Sequence, residues 1–280
     1  MALILDGPLG TELLTRGVPT PLPGWSAHAL ENAPEVVQAI HADYAAAGAR
    51  VHTTATFRTR ARVFPESWQE LARTAVRLAR AALPSPAHRL AGSVAPLEDC
   101  YRPDLSPAAD DPAGTRREHG QLAEVLAGAG CDLLLCETFP HVDEGLLALE
   151  AALATGVDCW CAFTAGPEAD LLTPAALAEG GRRAARLGAK AVLVNCVPAK
   201  TVADYVRALR DAVGSEVAVG CYANAGHVDD RLGWTSAPGA PERYAELAAG
   251  WVEDGATIVG GCCGTGPAHV AALSARLAGA

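Results

Sequence analysis

Three of the nine cysteines lie just beyond the end of a predicted strand, which is where α/β proteins carry their chemistry. Cys262 and Cys263 form an adjacent pair between glycines, just before a Thr-Gly-Pro sequence that opens a helix, and Cys196 follows another apolar run. Free backbone N–H groups and the positive end of a helix lower thiol pKa values, so we expect the pair to favour thiolate. A disulfide between the two neighbours is the alternative, although it needs a distorted peptide and an oxidising setting.

Three converging thiolates would suit zinc, which binds cysteine sulfur in a tetrahedral site. Three protein ligands leave the fourth position open, as in catalytic zinc sites, whereas a fourth ligand, Cys221 or His227, would make the site structural. Three negative ligands leave zinc a poor activator of water but able to hold an incoming thiol as an electron-rich thiolate. The cysteines therefore predict alkyl transfer to sulfur, with a non-catalytic zinc-binding barrel as the alternative.

Short apolar runs alternate along the chain with segments that carry apolar residues at helical spacing, which indicates repeated βα units and a parallel sheet. The predicted strands are residues 3–5, 51–56, 89–94, 133–136, 159–164, 191–195, 217–221 and 257–259. The predicted helices are residues 34–47, 69–82, 115–129, 142–154, 174–187, 201–213, 241–254 and 267–277. Glycines follow six of these helices and are expected to cap them in the left-handed conformation: Gly48, Gly130, Gly156, Gly188, Gly214 and Gly255.

Eight even units favour a closed (β/α)8 TIM barrel in a single domain over an open doubly wound sheet, since no glycine-rich phosphate fingerprint follows the first strand. Residues 101–114, rich in proline and aspartate, are predicted to be a long loop after the third strand. The other strand ends are polar as well, and in a barrel they would surround one site together with the cysteines: Asp6-Gly7, Thr53-Thr54, Glu137-Thr138, Asn195 and Tyr222-Ala223-Asn224.

Charge and cysteine usage narrow the class of protein. A net charge of −10 with lysines only at Lys190 and Lys200 argues against nucleic acid and membrane partners. The first residues lack the layout of a signal peptide, and no apolar stretch approaches the roughly 20 residues of a membrane span, so we expect a cytoplasmic protein with reduced thiols. Cys131, Cys159 and Cys161 lie in or beside apolar strands and are predicted to belong to the core.

Several of these strand ends belong to an ordered set of motifs. They are Leu5-Asp6-Gly7-Pro8-Leu9-Gly10-Thr11-Glu12-Leu13, Trp25-Ser26, Thr54-Ala55-Thr56-Phe57, Ala91-Gly92-Ser93-Val94, Glu137-Thr138, Val194-Asn195-Cys196 and Gly260-Gly261-Cys262-Cys263-Gly264-Thr265. Through them the sequence resembles, over essentially its whole length, the homocysteine S-methyltransferases. That family includes S-methylmethionine- and betaine-dependent enzymes and the homocysteine-binding module of methionine synthase.

The resemblance implies one homocysteine-binding (β/α)8 barrel domain over residues 1–280, with Zn²⁺ held by the matching Cys196, Cys262 and Cys263. Homocysteine would complete the metal's coordination through its sulfur. The resemblance also implies that Glu137 receives the amino group, that the Asp6-Gly7 turn and Thr54 hold the carboxylate, and that Asn195 braces the metal loop. Alternatively, Glu137 could cap a loop or pair with an arginine, and Asp6 could hold the first βα loop.

The methyl donor is expected to carry a positive charge that aromatic faces attract, and five aromatic residues could reach the rim: Trp25, Phe57, Phe139, Tyr222 and Trp234. The segment Glu137-Thr138-Phe139-Pro140 is more similar to the S-methylmethionine-using branch, so the expected donor is a sulfonium, S-methylmethionine or S-adenosylmethionine. Residues 222–227 and 95–97 depart from the pattern of that branch. These departures leave open a related thiol or selenol as acceptor, or betaine as donor.

Overall fold

The computed structural model describes residues 2–225 and 239–278, together with the backbone of two short strands between those ranges. The main sheet contains eight parallel strands: β1 (Leu3–Ile4), β2 (Val51–Thr53), β3 (Arg89–Val94), β4 (Leu133–Phe139), β5 (Cys159–Phe163), β6 (Ala191–Pro198), β7 (Ala218–Asn224) and β10 (Ile258–Gly261). The two short strands, β8 (His227–Val228) and β9 (Trp234–Thr235), pair antiparallel with each other.

The hydrogen-bonded order of the strands in the main sheet is β1-β10-β7-β6-β5-β4-β3-β2. From β2 to β7 and then β10, each strand therefore lies beside the strand of this sheet that precedes it in the chain. A parallel bridge between Leu5 and Val51 joins the two ends of this order. Backbone hydrogen bonds flank the bridge, from Asp6 to the carbonyl of Val51 (3.0 Å) and from Arg50 to that of Ile4 (2.8 Å). The sheet is therefore a closed barrel, and the carboxyl ends of all eight strands face one side of it.

A long helix follows each barrel strand and packs outside it: α3 (Pro34–Ala46), α4 (Trp68–Ala82), α5 (Pro112–Gly128), α6 (Val142–Leu153), α7 (Pro174–Leu187), α8 (Val202–Val213), α9 (Ala240–Glu253) and α10 (Pro267–Leu277). Two shorter helices, α1 (Leu9–Thr15) and α2 (Ala29–Asn32), lie between β1 and α3. No helix in the described part of the chain is long and apolar enough to cross a membrane.

Alternating strand residues divide the apolar side chains into two cores, because successive residues of a strand point to opposite faces. The outer core lies between sheet and helices and contains Phe163, Leu209 and Trp251. The inner core fills the barrel with bulky side chains such as Leu193 and Trp160 and also includes Cys196, Cys262 and Cys263. The three cysteines therefore belong to the barrel's interior.

The predicted single-domain (β/α)8 barrel is confirmed, and its strand bounds differ mainly at the carboxyl ends. Strands β4, β6 and β7 run to residues 139, 198 and 224 instead of 136, 195 and 221, whereas β2 ends at residue 53 instead of 56. The predicted loop at 101–114 is wrong in part, since α5 already begins at Pro112, where the Asp111 side chain accepts the Gly114 N–H at 2.8 Å. All six predicted glycine caps have positive φ.

Candidate metal and substrate site

A cavity of about 730 Å³ opens at the carboxyl ends of the barrel strands. Residues from the ends of six strands, β1, β2, β4, β6, β7 and β10, line it, which is the arrangement expected of a barrel that carries its chemistry on its βα loops. Seven of the eight residues singled out from the sequence are among the lining: Asp6, Gly7, Thr54, Glu137, Cys196, Cys262 and Cys263. The eighth, Asn195, is fully buried behind this lining.

The sulfurs of Cys196, Cys262 and Cys263 lie within 4.8 Å of one another, and all three side chains are buried. The Cα atoms of Cys196 and Cys262 are 5.7 Å apart, and their sulfurs are in disulfide contact, whereas Cys263 is a free thiol. The pair that the sequence places side by side, Cys262 and Cys263, is therefore not joined as a vicinal disulfide. When all three are reduced, cysteine sulfurs this close together can share one soft metal ion.

Cys196 reaches the interior because β6 is irregular at its end. Alternation from Ala191 and Leu193, which face inward, would turn residue 196 outward. Instead the register between β6 and β7 shifts after Asn195, and Cys196 has a φ of 52°. Such irregularities re-aim side chains next to functional sites.

The amide of Asn195 ties the ends of β4 and β6 together. Its oxygen accepts the backbone N–H of Thr138 at 3.1 Å, and its nitrogen donates to the Thr138 hydroxyl at 2.7 Å. Thr138 itself has a φ of 62°, so the clamp holds two strained positions, Thr138 and the neighbouring Cys196, at the rim. These contacts hold the end of β6, next to Cys196, against the end of β4.

The loop carrying Cys262 and Cys263 is fixed by hydrogen bonds on both sides. The Cys262 N–H donates to the Ala223 carbonyl at 2.8 Å, and the Cys263 carbonyl accepts the Ala225 N–H at 2.9 Å. The Thr265 hydroxyl also donates to the Cys262 carbonyl at 2.8 Å. Because β7 lies between β6 and β10, these bonds carry the cysteine pair across the end of β7 toward Cys196.

Burial works against thiolate formation at this site. It raises the pKa of Cys263 to about 12, and a nearby thiol, Cys100, adds to the rise. The expectation that the helix end would favour thiolate is therefore wrong for Cys263, because the cost of burying a charge outweighs the helix end. Ionisation here needs a cation beside the sulfur.

Of the two alternatives for a fourth protein ligand, Cys221 falls outside this group of sulfurs. Cys221 packs in the outer core, and burial raises the pKa of its thiol. Cys131, Cys159 and Cys161 also lie in the outer core, as predicted. The side chain of His227 lies outside the described residues.

Glu137 is a buried acid aimed at the cavity. One carboxylate oxygen accepts from the Ser93 hydroxyl at 2.5 Å, and the other accepts from the Tyr222 hydroxyl at 2.9 Å. Burial raises the pKa of Glu137, and the two hydroxyl donors oppose the rise. An arginine partner, one of the alternatives raised by the sequence, is absent among the described residues, so a cationic ligand is well suited to this carboxylate.

Asp6 is a second buried acid at the same cavity. Its carboxylate accepts the Thr53 backbone N–H at 2.8 Å and the Thr53 hydroxyl at 3.1 Å. Burial raises the pKa of Asp6 well above its usual value, the Thr53 hydrogen bonds lower it, and the charge of Glu137 raises it further. Asp6 thus also ties the end of β1 to β2.

Gly7 and Thr54 complete the predicted substrate-binding set. A Cβ atom on Gly7 would lie 2.6 Å from the hydroxyl oxygen of Tyr44, so only glycine fits there. The Thr54 hydroxyl lies 2.8 Å from that of Thr56 and accepts the Ser93 N–H at 3.1 Å. Thr54 therefore lines the cavity with its hydroxyl already hydrogen-bonded.

Of the aromatic residues expected at the rim, Trp25, Phe57 and Tyr222 line the cavity. Trp25 and Phe57 contact each other edge to face, with ring centroids 5.7 Å apart. Phe139 is instead fully buried in the outer core against His119, so its prediction is wrong. The side chain of Trp234 lies outside the described residues.

Sequence analysis did not single out Arg58, Cys100 and Tyr101, which also line the cavity. Tyr101 begins the segment interpreted as loop, residues 101–114, and Cys100 immediately precedes it, where no periodicity assigns a direction to a side chain. Arg58 follows Phe57 at the end of a motif, and this position near the end of a predicted strand could have identified it as a lining residue.

The Asn195 brace can be tested by replacing Asn195 with alanine, which would leave the buried Thr138 N–H and hydroxyl without their partner. We expect the free energy of unfolding in urea to fall by about 1–3 kcal/mol. Asn32→Ala is the control, because Asn32 is exposed, and it should change stability by less than about 0.5 kcal/mol. Equal stability of the two variants would show that the clamp does not hold the rim.

Comparison with known proteins agrees with this geometry. The sequence profile of the family described as Homocysteine S-methyltransferase matches residues 3–277. Homocysteine S-methyltransferase of Escherichia coli (strain K12) is 32% identical over 305 residues, covering 98% of this chain and 94% of that protein. Homocysteine S-methyltransferase 4 of Zea mays is 29% identical over 308 residues, covering 97% and 88%.

A solved structure, the homocysteine methyltransferase MmuM from Escherichia coli in its metallated form, matches with a TM-score of 0.81 and 27% sequence identity. The match covers 98% of this chain and 96% of that one. Sequence profile, relatives and structure all span nearly the full chain, so the chain belongs to the homocysteine S-methyltransferase family, whose members are methyltransferase enzymes.

Proposed function

We propose that this enzyme transfers a methyl group from a sulfonium donor, S-methylmethionine or S-adenosylmethionine, to the sulfur of homocysteine in a zinc-dependent reaction that yields methionine. The observation that carries the proposal is the group of three buried cysteine sulfurs within 4.8 Å of one another, at the edge of a cavity that two buried acids also line. The sulfurs suit a soft metal, and the acids suit an ammonium group.

The donor set fits zinc. Three sulfurs from Cys196, Cys262 and Cys263, without a further described histidine or carboxylate within their group, match a thiolate-rich tetrahedral site with one position left for a substrate. When bound, zinc would lower the pKa of an incoming thiol and hold it as a nucleophilic thiolate. The chain's part is to hold the three sulfurs, through the Asn195 clamp and the bonds across β7.

The amino acid end of homocysteine would be held by charge. Glu137 and Asp6 are both buried, and each lacks a cationic side-chain partner in the described part of the chain. An ammonium beside Glu137 would relieve the cost of keeping its carboxylate charged. The Asp6-Gly7 turn and Thr54 would lie toward the substrate carboxylate, chiefly through the Gly7 N–H, since the N–H groups of Asp6 and Thr54 donate to the Val51 and Ala91 carbonyls and the Thr54 hydroxyl already bonds within the protein.

In the reaction, the methyl carbon exchanges its bond to the donor sulfur for a bond to the homocysteine sulfur. The homocysteine thiolate forms a bond to the methyl carbon while the bond from that carbon to the donor sulfur breaks. The electron pair of the broken bond stays on the donor, which leaves as a neutral thioether. The positive charge of the donor and the negative charge of the thiolate both disappear, so a cavity that excludes water favours the step. The faces of Trp25 and Phe57 can attract the sulfonium.

Replacing any one of Cys196, Cys262 or Cys263 with alanine should remove the metal and the activity together. We expect zinc per protein to fall from about one to below about a tenth, since two sulfurs alone hold zinc weakly. Zinc is measured by mass spectrometry on reduced protein, and methionine formation from homocysteine and S-methylmethionine is measured in parallel. Cys159→Ala is the control, because Cys159 is a buried outer-core cysteine. Full activity in Cys262→Ala would reject the proposal.

The charge of Glu137 should appear in the pH dependence of the KM for homocysteine. Because its pKa is raised, Glu137 is neutral below the raised value and charged above it, so KM should rise as the pH falls through that value. Glu137→Gln should raise KM about tenfold or more at high pH and flatten the dependence. The control substrate is 4-mercaptobutanoate, which lacks the amino group and reports the remaining titrations of the site. An unchanged homocysteine KM in Glu137→Gln would remove Glu137 from its proposed role.

A further inference from the structure

Three arginines alternate along the segment that follows β2: Arg58, Arg60 and Arg62. Arg62 is exposed and fully engaged, since its guanidinium forms two bonds to the Glu118 carboxylate (2.7 and 2.8 Å) and also contacts the Glu98 carboxylate. The guanidinium groups of the other two arginines, Arg58 and Arg60, face inward instead.

Arg58 and Arg60 share a single weak acceptor. The Arg58 Nη1 donates to the Glu98 carbonyl oxygen at 3.2 Å, and the Arg60 Nη2 approaches the same oxygen at 3.4 Å. Arg60 is only 6% exposed, yet its Nε and Nη1 have no hydrogen-bond partner within the described residues, and neither has the buried Nε of Arg58. Buried guanidinium groups are normally paired, because an unpaired buried charge is costly.

The neighbouring carboxylates, Asp99 and Glu144, already have other hydrogen-bond partners. The Asp99 carboxylate accepts the Tyr101 N–H at 2.8 Å, and the Glu144 carboxylate accepts the Leu97 N–H at 2.8 Å and lies 3.3 Å from His119. Within the described ranges, no carboxylate comes within the 4.0 Å of an ion pair with Arg58 or Arg60. Burial and the charge of Arg58 lower the pKa of Arg60 to about 10, although Glu98 and Glu144 oppose this.

Arg58 lies on the wall of the same cavity as the sulfurs, and the buried Arg60, which is not part of the lining, meets Arg58 at the Glu98 carbonyl. Arg58, Asp99, Cys100 and Tyr101 all line the cavity, together with Cys263. The guanidinium of Arg58 lies 5.6 Å from the ring centroid of Phe57, one of the aromatic faces available to a sulfonium. Glu137 belongs to β4 and Asp6 follows β1, whereas Arg58 and Asp99 come from the segments that follow β2 and β3.

We propose that Arg58, with the charge of the buried Arg60 behind it, forms a carboxylate-binding subsite for the methyl donor, separate from the place where homocysteine binds. The inference rests on the proposed function and extends it to the second substrate. A guanidinium presents N–H groups in a fork that matches a carboxylate, and Arg58 donates one of its N–H groups to the weak carbonyl acceptor that it shares with Arg60, which leaves donors for a ligand. A sulfonium amino acid would place its carboxylate at the arginines and its positive sulfur near Phe57 and Trp25. The subsite therefore selects donors that carry a carboxylate over donors that lack one.

The test compares two donors in matched variants. S-methylmethionine carries the carboxylate, and S-methylmethionine carboxamide is its neutral counterpart at that position. The variants are Arg58→Gln, Arg60→Gln and Arg60→Lys, with Arg62→Gln as the control from the same segment, and KM is measured for donor and homocysteine separately.

We expect the wild-type enzyme to prefer the carboxylate donor by about tenfold or more in kcat/KM. Arg58→Gln and Arg60→Gln should each raise the KM for S-methylmethionine about tenfold, leave the KM for the carboxamide and for homocysteine within twofold, and so abolish the preference. Arg60→Lys should restore part of it, and Arg62→Gln should retain it. Equal losses with both donors, or no loss in Arg58→Gln, would overturn the proposal.

Calorimetry separates failure of the subsite from failure of the proposed function. Binding of S-methylmethionine and of its carboxamide is measured on the reduced, zinc-loaded protein without homocysteine, so no turnover is needed. Weaker binding of the carboxylate donor in Arg60→Gln but not in Arg62→Gln supports the subsite even where methionine is not formed. Binding of both donors that is identical in wild type and Arg60→Gln contradicts it even where methyl transfer proceeds.

Discussion

Three cysteine sulfurs held within 4.8 Å of one another in a buried place are the constraint on which the site depends. Burial raises the pKa of Cys263 to about 12, so this thiol stays protonated unless a positive charge joins it. A thiolate-binding metal ion supplies that charge, and the same burial that opposes free thiolates strengthens its attraction to the sulfurs. Folding brings the ligands together, and metal binding would in turn stabilise the fold.

The barrel meets this constraint through irregularities at two strand ends. β6 and β10 are separated by β7, so the cysteines cannot meet by strand pairing alone. The positive φ of Cys196 turns its side chain inward, the Asn195 amide holds that turn to β4, and hydrogen bonds across β7 carry Cys262 and Cys263 to the same point. The regular inner core below, built from residues such as Leu193 and Trp160, gives these loops a rigid floor.

Much of this architecture could be predicted from the sequence, because the spacing of apolar residues and the positions of the glycines that follow helices are local properties. The βα rhythm, the glycine caps and the convergence of Cys196 with Cys262 and Cys263 follow from strand ends that face one side of a closed sheet. The side-chain environments could not be predicted in this way. The pKa of Cys263, the outward burial of Phe139 and the unpaired guanidinium of Arg60 depend on contacts between segments far apart in the chain.

The central claim is that three cysteine sulfurs hold the metal and leave one position for the substrate thiol. X-ray absorption at the zinc edge of the reduced, zinc-loaded enzyme counts the sulfurs directly, before and after homocysteine is added. The account predicts about three sulfurs near 2.3 Å in the free enzyme and about four with homocysteine. Four protein ligands that are unchanged by homocysteine would contradict it, because such a closed site has no place for the substrate sulfur.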